Sequence, residues 1–580
     1  MATETKLPIS EAKPWEKFYT REQIEAPVPE CNLYEFLRDF NKNWLDIPAL
    51  NYFDNKISYR TLLQDIDRAA DAFAAAGVRE GDYVSLCALT TPETVTAFYA
   101  LNKLGAACNI IEPRTNPKRI GEHINHVHSD ILVVLDVFVG KINEILPQLD
   151  VKKIVILSIA RSMPAMTRLG FKLTKGRKLP QPAEDSRFIL WDDFLSAGKG
   201  FGAASVPYKK DRPAAIVYTG GTTGVPKGAI LSNDSFNTLT MEILHSGLEY
   251  EPGETFLNIM PPFIAYGISC GLNMHLSIGL TNIIIPAFDP EKFTSYILKY
   301  RPNHVMGVPA HFERLMVDPK MKGYDLSFVR DAATGGDVMP IGTEEKINAF
   351  LREHNCNHYI VRGYGMTELG SGATLSNDIA NGPGSVGIPL PKVTFSVRDP
   401  ETAQELGYNE HGELFCLAPT VMLGYYENPE EEANLFYTDE QGRRWVRSGD
   451  IGYIDEDGFI YIVGRKKRMI VRPDGHNVWP SQIEETASRF PGVKEVVVVG
   501  LKNPEGSAGR MPTAFIVPAE DALKTEDFLR ELRTYIEDNL PGRDVPMGYK
   551  LLDTMPLTPI GKADYRALEQ LPFDSVSIKV

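Results

Sequence analysis

Residues 218–228 read YTGGTTGVPKG and are the most informative stretch of the sequence. Three glycines and three threonines precede Lys227, so backbone N–H groups, hydroxyls and one ammonium group can surround phosphate oxygens. A proline stands directly before the lysine, which excludes a Walker A loop. A plain glycine hairpin explains the threonines and the lysine less well than a phosphate-binding loop does. The predicted loop residues are Thr219, Gly220, Gly221, Thr222, Thr223, Gly224 and Lys227.

Apolar runs alternate with helix-like segments on the N-terminal side of this loop. The runs are DYVSLCAL at 82–89, DILVVLD at 130–136 and KKIVILS at 152–158, and the helix-like segments include 59–77 and 92–105. Continuous Val, Ile and Leu runs separated by amphipathic segments are typical of buried parallel strands and their crossover helices. The sequence therefore predicts an α/β fold.

The residue pattern of the sequence changes after the α/β region. From about 381 to 463, Gly, Pro and Asp interrupt short strand-like pieces every few residues, which predicts an antiparallel, barrel-like part. The basic cluster RKKR then leads into a new pattern of two helices and two strands. We therefore predict an N-terminal core at 1–464, a hinge at 465–468 and a small α+β domain at 469–580.

Composition limits the classes of function. The 580 residues include 61 Lys and Arg against 76 Asp and Glu, a net charge of −15, which argues against nucleic-acid binding. The six cysteines form no C-x-x-C pair, and no apolar run is long enough to span a membrane. The N-terminus has no signal-like apolar segment. These features predict a cytoplasmic protein whose membrane attachment, if any, is peripheral.

A second candidate segment is GYGMTE at 363–368. The ring of Tyr364 can stack on a nucleobase, the hydroxyl of Thr367 can bind a phosphate, and the carboxylate of Glu368 suits Mg²⁺. With Gly365, these residues are candidate nucleotide contacts.

Two further motifs complete the set. Asp450 and Arg465 stand at the two ends of a predicted hairpin, where a carboxylate and a guanidinium can bind ribose hydroxyls. Near the C-terminus, PLTPIGKADYR carries Lys562 in a loop, from which a long cation can reach the cleft of another domain. Each residue alone has an ordinary explanation as core filler, turn residue or solvated charge. The ordered set points to a nucleotide site.

In this order, the motifs resemble those of the adenylate-forming enzymes, the superfamily of acyl-CoA synthetases, peptide-synthetase adenylation domains and beetle luciferases. The resemblance extends from about residue 57 to residue 568. It implies a large N-terminal domain with two parallel-type sheets sandwiched by helices and a distorted β-barrel. It also implies a small mobile C-terminal domain that acts as a lid and swings between two half-reactions.

The resemblance also assigns roles. Thr222, Thr223 and Lys227 would hold the leaving pyrophosphate, and Thr367 the α-phosphate. Tyr364, Gly335 and Gly336 would frame the adenine, and Glu368 would bind Mg²⁺. Asp450 and Arg465 would bind the ribose. Lys562 would bridge the carboxylate and the α-phosphate, and Lys467 would occupy the hinge position. The implied cosubstrates are ATP with Mg²⁺ and CoA.

The segment PPFIAYG at 261–267 marks the pocket for the acid, with Phe263, Ile264, Tyr266 and Gly267 as its candidate residues. Acyl-CoA synthetases often have His where this chain has Ile264, and amino-acid-activating relatives have Asp. A buried ammonium without a carboxylate partner costs several kcal/mol, so an amino-acid substrate is disfavoured. Tyr266 is equally well explained as a gate for the pocket and as a structural aromatic residue.

Three smaller departures from the family pattern are present. Gly220 replaces a serine, as in many long-chain fatty acid CoA ligases, and Ser448 replaces a threonine. One extra residue precedes Gly475, so the lid loop that lines the thiol tunnel in this family is expected to differ here.

Residues 161–180 hold six basic side chains and no acidic one, interleaved with apolar residues. In a chain of charge −15 this local reversal suggests a patch that faces anionic lipid, and it resembles the basic insertion of bacterial long-chain acyl-CoA synthetases. A solvated surface excursion explains it about equally well, because Gly170 and Gly176 weaken a helix there.

The sequence as a whole predicts an AMP-forming acid–thiol ligase that activates a hydrophobic carboxylic acid, with a medium- or long-chain fatty acid as the leading substrate. Alternatives are an acyl-AMP ligase that loads a carrier protein, an aryl acid CoA ligase, and a catalytically silent lipid-binding relative. The combination of Lys227, Glu368, Asp450 and Lys562 argues against the silent relative.

Overall fold

A computed structural model provides the structure, and it describes residues 7–219, 227–504, 506, 508–519, 525–540, 542–556, 563–575 and 577–579. Six predicted site residues lie outside this part: Gly220, Gly221, Thr222, Thr223, Gly224 and Lys562. Internal contacts divide the chain into two compact units. The larger comprises Lys13–Thr394 and Cys416–Val446, and the smaller comprises Met1–Ala12, Phe395–Phe415 and Arg447–Val580.

The first sheet of the larger unit has eight strands. Six neighbouring strands, from Pro213–Thr219 to the edge strand Phe188–Leu190, are parallel, and they include all the runs predicted from their continuous Val, Ile and Leu content. Lys227–Ser232 pairs antiparallel with Pro213–Thr219 and brings Lys227 opposite Thr219. In spatial order the strands are Gly424–Tyr425, Lys227–Ser232, Pro213–Thr219, Ala107–Ile110, Tyr83–Cys87, Ile131–Leu135, Lys153–Leu157 and Phe188–Leu190.

The second sheet of the larger unit has nine strands. Its six central strands are parallel, and antiparallel strands close both edges. In spatial order the strands are Ile388–Pro389, Ser371–Leu375, Val361–Met366, Asp331–Thr334, His304–Gly307, Thr255–Asn258, Thr281–Ile284, Pro48–Tyr52 and Asn55–Ser58.

Helices cover these sheets, and one hydrophobic core contains side chains from both sheets. Every residue of the helix Pro92–Lys103 is buried, as expected of a helix packed on all sides. It begins where Thr91 accepts the N–H of Thr94 and Pro92 presets the first turn. The α-helices of this unit include Arg21–Glu25, Leu33–Phe40, Tyr59–Ala75, Pro92–Lys103, Pro117–His126, Val139–Ile145, Ala165–Leu173, Trp191–Ala197, Asn233–Leu244, His275–Ser277, Phe293–Tyr300, Pro309–Val317, Ile341–Glu353 and Pro429–Leu435.

The smaller unit contains strands of an antiparallel sheet and an α+β part. Arg444–Ile454 pairs antiparallel with Ile460–Arg465 and is the neighbour of Gly412–Leu417, which in turn neighbours Thr394–Arg398. The α+β part has a four-stranded sheet with its own cores. Its strands and helices are Ile470–Val471, Asn477–Val478, Val493–Lys502, Arg510–Pro518, Gly548–Leu551, Ile578–Lys579, Pro480–Ser488, Glu526–Asn539 and Tyr565–Glu569.

The predicted α/β fold class is confirmed, with two large mixed sheets and a small α+β part. The helix Ala165–Leu173 differs from the expectation for the basic segment, because it passes through Gly170 without a break. Neighbouring helix formers outweigh the cost of one glycine, about 1 kcal/mol. In the described part of the chain, no helix combines the length and apolarity that crossing a membrane requires.

Candidate functional site

A cavity of about 220 Å³ lies in the larger unit. Its walls come from segments far apart in sequence: the end of the helix Asn233–Leu244, residues 264–275, the strand Asp331–Thr334 with the glycines after it, and the hairpin 363–375. The cavity therefore brings together residues of the predicted acid pocket and of the predicted adenine-framing and GYGMTE segments.

Glycines keep one end of this cavity open. Gly335 and Gly336 follow the strand Asp331–Thr334, and Gly336 has a φ of +78°, which favours glycine. A Cβ atom on Gly335 would lie 3.1 Å from the carbonyl oxygen of Gly363 and 3.7 Å from the hydroxyl of Tyr266. A side chain at Gly335 would thus narrow this end of the cavity, which we call the glycine end.

The hairpin that carries GYGMTE forms the opposite wall of the glycine end. Val361–Met366 pairs antiparallel with Ser371–Leu375, and the register shifts between Tyr364 and Gly365. A Cβ atom on Gly365 would fall 1.6 Å from the carbonyl oxygen of Ser371, so only glycine fits there. Tyr364, Gly365 and Thr367 all line the cavity.

Glu368 is buried next to the cavity wall and bonds to a tyrosine that the sequence motifs did not reveal. The hydroxyl of Tyr425 donates to Glu368 Oε1 at 2.5 Å. The Lys227 ammonium lies 5.4 Å from the centre of the same tyrosine ring and forms an ion pair with Glu431. Burial and the neighbouring Glu368 raise the pKa of Tyr425, so this hydroxyl stays protonated and remains a donor. Tyr425 thus connects Glu368 with Lys227.

Lys227 lines a separate polar cavity of about 470 Å³ rather than the first one. Basic side chains of the helix Pro117–His126 and Tyr218 share this second cavity. The ring of His123 stacks on Tyr218 at 3.9 Å, and burial with nearby Arg119 lowers the pKa of His123 to about 4. The imidazole of His123 is therefore neutral at physiological pH.

Two of the four residues proposed for the acid pocket line the first cavity, namely Ile264 and Tyr266. Phe263 is buried beneath the Arg114 guanidinium, 5.0 Å from its ring centre. A Cβ atom on Gly267 would lie 1.8 Å from the carbonyl oxygen of Pro261, so this glycine allows close backbone packing.

Tyr266 begins a π-helix, Tyr266–Met274, a rare conformation that is frequent at functional sites. The side chains of Tyr266, Cys270 and Met274 recur every four residues and line the cavity, followed by His275. The π-helix therefore supplies much of one wall.

Three polar side chains also line the cavity, and we call the part that they line the far end. Asp331, His275 and Tyr250 line it. The buried His304 contacts Asp331 Oδ2 through Nδ1 at 2.6 Å and Glu254 Oε2 through Nε2 at 2.9 Å. Burial alone would lower the pKa of His304, but the two carboxylates outweigh it and raise the pKa to about 9. His304 is therefore an imidazolium held between two carboxylates.

The smaller unit positions the predicted ribose-binding pair. Asp450 and Arg465 are direct cross-strand partners, and Arg465 Nε lies 2.8 Å from Asp450 Oδ1. Asp450 is buried whereas Arg465 is exposed, so the guanidinium side of the pair faces solvent. Lys467 lies in the short helical turn Lys466–Arg468 that follows and is exposed.

Two family models match the chain. The model of the family described as AMP-binding enzyme matches residues 37–426, more than half of the chain, and that of the AMP-binding enzyme C-terminal domain matches residues 482–562. The chain belongs to the AMP-binding enzyme family. The first match covers every segment that lines the cavity of about 220 Å³, and the second covers the middle of the α+β part.

Relatives of this AMP-binding enzyme include several CoA ligases. The long-chain-fatty-acid–CoA ligase of Bacillus subtilis is 28% identical over 577 residues, covering 98% of this chain and 99% of that protein. A probable 4-coumarate–CoA ligase of Dictyostelium discoideum is 27% identical, covering 87% and 88%. The crystal structure of ATP-bound MatB from Rhodopseudomonas palustris has a TM-score of 0.77 at 25% identity and covers 93% of this chain and 98% of that one.

The cavity of this AMP-binding enzyme also contains residues that sequence reasoning missed: Tyr250, Cys270, His275, Met306, Asp331 and Tyr425 near its wall. Most lie singly in strands or helices, without a glycine-rich or charged neighbourhood that marks them. One available signal was Asp331, a carboxylate at the start of a buried strand, because buried carboxylates need a partner.

Proposed function

We propose that this AMP-binding enzyme is an AMP-forming acyl-CoA ligase for an apolar carboxylic acid, with a medium- or long-chain fatty acid as the leading class. One observation carries the proposal: a single cavity is lined both by Tyr364 and Thr367 of the GYGMTE segment and by apolar side chains suited to an acyl group. The volume of this cavity, about 220 Å³, is small beside ligand sites of roughly 300–1,000 Å³. Within the leading class, the small volume favours medium-chain over long-chain acids.

The proposed reaction has two steps. A carboxylate oxygen of the acid attacks the α-phosphorus of ATP, the bond to the β-phosphate oxygen breaks, and pyrophosphate leaves. The CoA thiolate then attacks the acyl carbonyl, a thioester forms, and AMP leaves. Thr367 would bind the α-phosphate, and the loop from Thr219 to Lys227 would hold the pyrophosphate. The enzyme contributes position and charge stabilisation rather than a covalent intermediate.

Glu368 is the residue that would hold Mg²⁺. Its Oε1 accepts the Tyr425 hydroxyl, and its Oε2 has no hydrogen-bond partner in the described part of the chain. A hard oxygen ligand suits Mg²⁺, which one or two carboxylates and substrate phosphates commonly hold. When bound, the cation would neutralise charge on the phosphates. Tyr425 would orient the carboxylate.

The second step requires movement of a lid in our proposal. Residues 1–464 would form the core, 465–468 the hinge with Lys467, and 469–580 the lid with Lys562. Asp450 and Arg465, just before the hinge, would bind the ribose. Lys562 would neutralise charge only while the carboxylate meets the α-phosphate.

The test is a substrate panel with and without CoA. Fatty acids and aryl acids are incubated with ATP and Mg²⁺, and AMP, pyrophosphate and acyl-CoA are measured. We expect AMP and pyrophosphate in equal amounts, with CoA increasing turnover. ADP with free phosphate, or transfer to a carrier protein but never to CoA, would overturn the proposal.

Half-reactions test the lid. Lys562→Ala should reduce adenylation by orders of magnitude yet allow a prepared acyl-adenylate to form acyl-CoA. Lys467→Pro should show the reverse pattern, because proline fixes the hinge φ. Equal losses in both half-reactions for Lys562→Ala would contradict the two-pose mechanism.

We also propose peripheral contact with anionic membranes through residues 161–180. The helix Ala165–Leu173 presents Met166, Leu169 and Leu173, which are 80%, 53% and 53% exposed. Arg168, Lys172, Lys175, Arg177 and Lys178 are also exposed around this stripe. Met163 is buried, and Phe171 packs against the core, so the segment is anchored while its apolar stripe faces outward. Exposed apolar and basic groups together support adsorption to anionic lipid.

Vesicle sedimentation tests this contact. Replacing Arg168, Lys172 and Lys175 by Glu should weaken binding to anionic vesicles, because each basic residue contributes about 1 kcal/mol. Activity on a soluble short-chain acid should be unchanged. A matched control reverses Lys42, Lys152 and Lys199, which are exposed elsewhere on the larger unit. Equal vesicle binding by the two triple variants would refute the contact.

A further inference from the structure

The far end of the cavity carries polar atoms that the proposed adenylation does not use. Ile243, Phe256, Met274 and Met306 make the surrounding wall apolar, so an alkyl or aryl group fits there. Yet Asp331, His275 and Tyr250 line the same region. Polar atoms in an apolar cavity cost free energy unless something hydrogen-bonds to them.

Asp331 offers an acceptor to the cavity. Its Oδ2 is bonded to His304, but its Oδ1 has no hydrogen-bond partner in the described part of the chain. Asp331 already faces the buried His304 imidazolium, and Glu254 faces both His304 and Arg330, which in turn pairs with the mostly exposed Glu251. A ligand cation at Asp331 would lie beside the His304 imidazolium, which would repel it. A neutral donor such as a hydroxyl group is the better complement.

His275 presents a second acceptor. Its ring stacks on Phe256 at 3.6 Å, and Nδ1 contacts the carbonyl oxygen of Cys270 at 2.6 Å. Burial, with His304 nearby, lowers the pKa of His275 to about 3, so the ring is neutral. A neutral ring that donates through Nδ1 has its lone pair on Nε2.

Tyr250 adds a hydroxyl beside these acceptors. Burial and the nearby Asp331 raise the pKa of Tyr250, so its hydroxyl stays protonated. Among the described residues, no group hydrogen-bonds to this hydroxyl. The far end thus combines two acceptors with one group that can donate or accept, a set that a single ligand hydroxyl satisfies.

The strand Asp331–Thr334 gives the spacing between the two ends. Asp331 and Ala333 alternate along it, Gly335 follows directly after it, and these residues line the cavity together with Thr334. At about 3.3 Å per residue, Asp331 lies roughly 13 Å along the chain direction from Gly335 at the glycine end. A group at Asp331 therefore belongs to the part of the acid remote from its carboxylate.

We propose that Asp331 is a specificity-determining residue that accepts a hydrogen bond from a hydroxyl at the remote end of the acid. The preferred substrates are then apolar acids with a terminal hydroxyl, either ω-hydroxy fatty acids or hydroxyaryl acids. This inference rests on the proposed acyl-CoA ligase function. A methyl group in place of the hydroxyl leaves the Asp331 oxygen buried without a donor, which disfavours unsubstituted chains.

The first experiment compares matched acids on the wild-type enzyme. Each ω-hydroxy fatty acid is paired with the fatty acid that has a methyl in place of the hydroxyl, across a series of chain lengths. A para-hydroxyphenyl propanoate is paired with its para-methyl analogue. At the best chain length we expect the hydroxy acid to have a kcat/KM roughly tenfold to a hundredfold higher, typical of a hydrogen bond to a charged group. Equal or better use of all methyl analogues would overturn the inference.

Variants assign the preference to its residue. Asp331→Asn and Asp331→Leu should reduce the hydroxyl preference, and Asp331→Leu should favour the methyl analogue. Asp193→Asn, an exposed carboxylate on the helix Trp191–Ala197, is the matched control and should keep the wild-type preference. An unchanged preference in a folded Asp331→Leu protein would exclude Asp331 as the determinant.

Calorimetric binding of the same acid pairs to the full-length protein separates the two proposals and does not require turnover. If no acid yields AMP and acyl-CoA, the proposed function fails, and the binding preference still decides the inference. If acids are turned over but the paired acids bind equally, the inference fails alone. Should Asp331→Leu not fold, Asp331→Asn and the wild-type pairs remain decisive.

Discussion

The glycine end and the far end of the cavity are built in different ways. The glycine end is formed largely by glycine backbone, which two short contiguous motifs at 333–337 and 363–368 contribute. The far end uses single side chains from separate elements, joined by the buried His304 between Asp331 and Glu254. The difference suggests that reaction chemistry and acid selection are separable here. Substitutions at the glycine end should therefore affect the reaction with every acid, whereas substitutions at the far end should change which acid is preferred.

The largest effect is expected at Glu368, next to the glycine end. Glu368→Gln removes the charge that would hold Mg²⁺, so kcat should fall about 100- to 1,000-fold for every acid. The Mg²⁺ concentration needed for ATP binding should rise, as measured by equilibrium dialysis. Tyr425→Phe keeps the carboxylate and is the control, with a much smaller loss. A loss that depended on the acid used would break the separation of the two ends.

The second prediction concerns stability at the far end. The pKa of His304 is raised from 6.5 to about 9 in the folded protein. Protonated His304 therefore contributes up to about 3 kcal/mol to the free energy of unfolding, and this contribution is complete below pH 6.5 and lost as the pH rises through 9. Glu254, with a pKa lowered to about 2, stays ionised across this range. His304→Gln should therefore destabilise the protein most near pH 6. Urea unfolding midpoints at pH 6 and pH 9.5 measure the difference.

The control for this titration is His128→Asn. His128 is exposed and has a φ of 49°, a left-handed conformation that asparagine tolerates. Its effect on the unfolding midpoint should be small at both pH values. A His304→Gln deficit that stayed constant with pH would show that packing, rather than charge, holds the far end together.

A smaller effect is expected at Gly335. In Gly335→Ala the new methyl lies 3.1 Å from the Gly363 carbonyl oxygen and narrows the glycine end, so the KM values for ATP and acid should rise roughly tenfold, the scale of overpacking. Gly342→Ala is the control, because nothing lies within 4 Å of its Cβ position. Steady-state kinetics with both substrates varied provide the measurement. A change confined to the acid would place Gly335 with the selection end instead.

The smallest effect should be at Ile264 in the wall. Ile264→Val removes one methylene contact worth about 0.8 kcal/mol, so kcat/KM for an alkyl acid should fall about fourfold while the KM for ATP stays constant. Ile379→Val makes the same change at an exposed position and should have no effect. Competition between two acids in one tube measures so small a ratio well. A parallel rise in the ATP KM would argue against separable ends.

These two ends also mark what the sequence predicts and what it does not. The parallel strands were predictable because their Val, Ile and Leu runs are continuous, and Tyr364 and Thr367 because a compact motif contains them. The positions of Asp331, His275 and Tyr250 were not, because strand order brings together residues that no local pattern relates. Phe263 and Gly267 belong to the predicted acid-pocket motif, yet they do not line the cavity, because Phe263 packs under Arg114 and Gly267 against the Pro261 carbonyl.

The π-helix Tyr266–Met274 has a consequence for how such a cavity can change over time. A π-helix holds an additional residue per turn relative to an α-helix, so one deletion within it can restore the tighter winding. Such a deletion would rotate the side chains that follow, His275 included, while the flanking strands keep their register. Insertions and deletions of single residues in this segment are therefore a route to new substrate ranges that stepwise substitution does not offer.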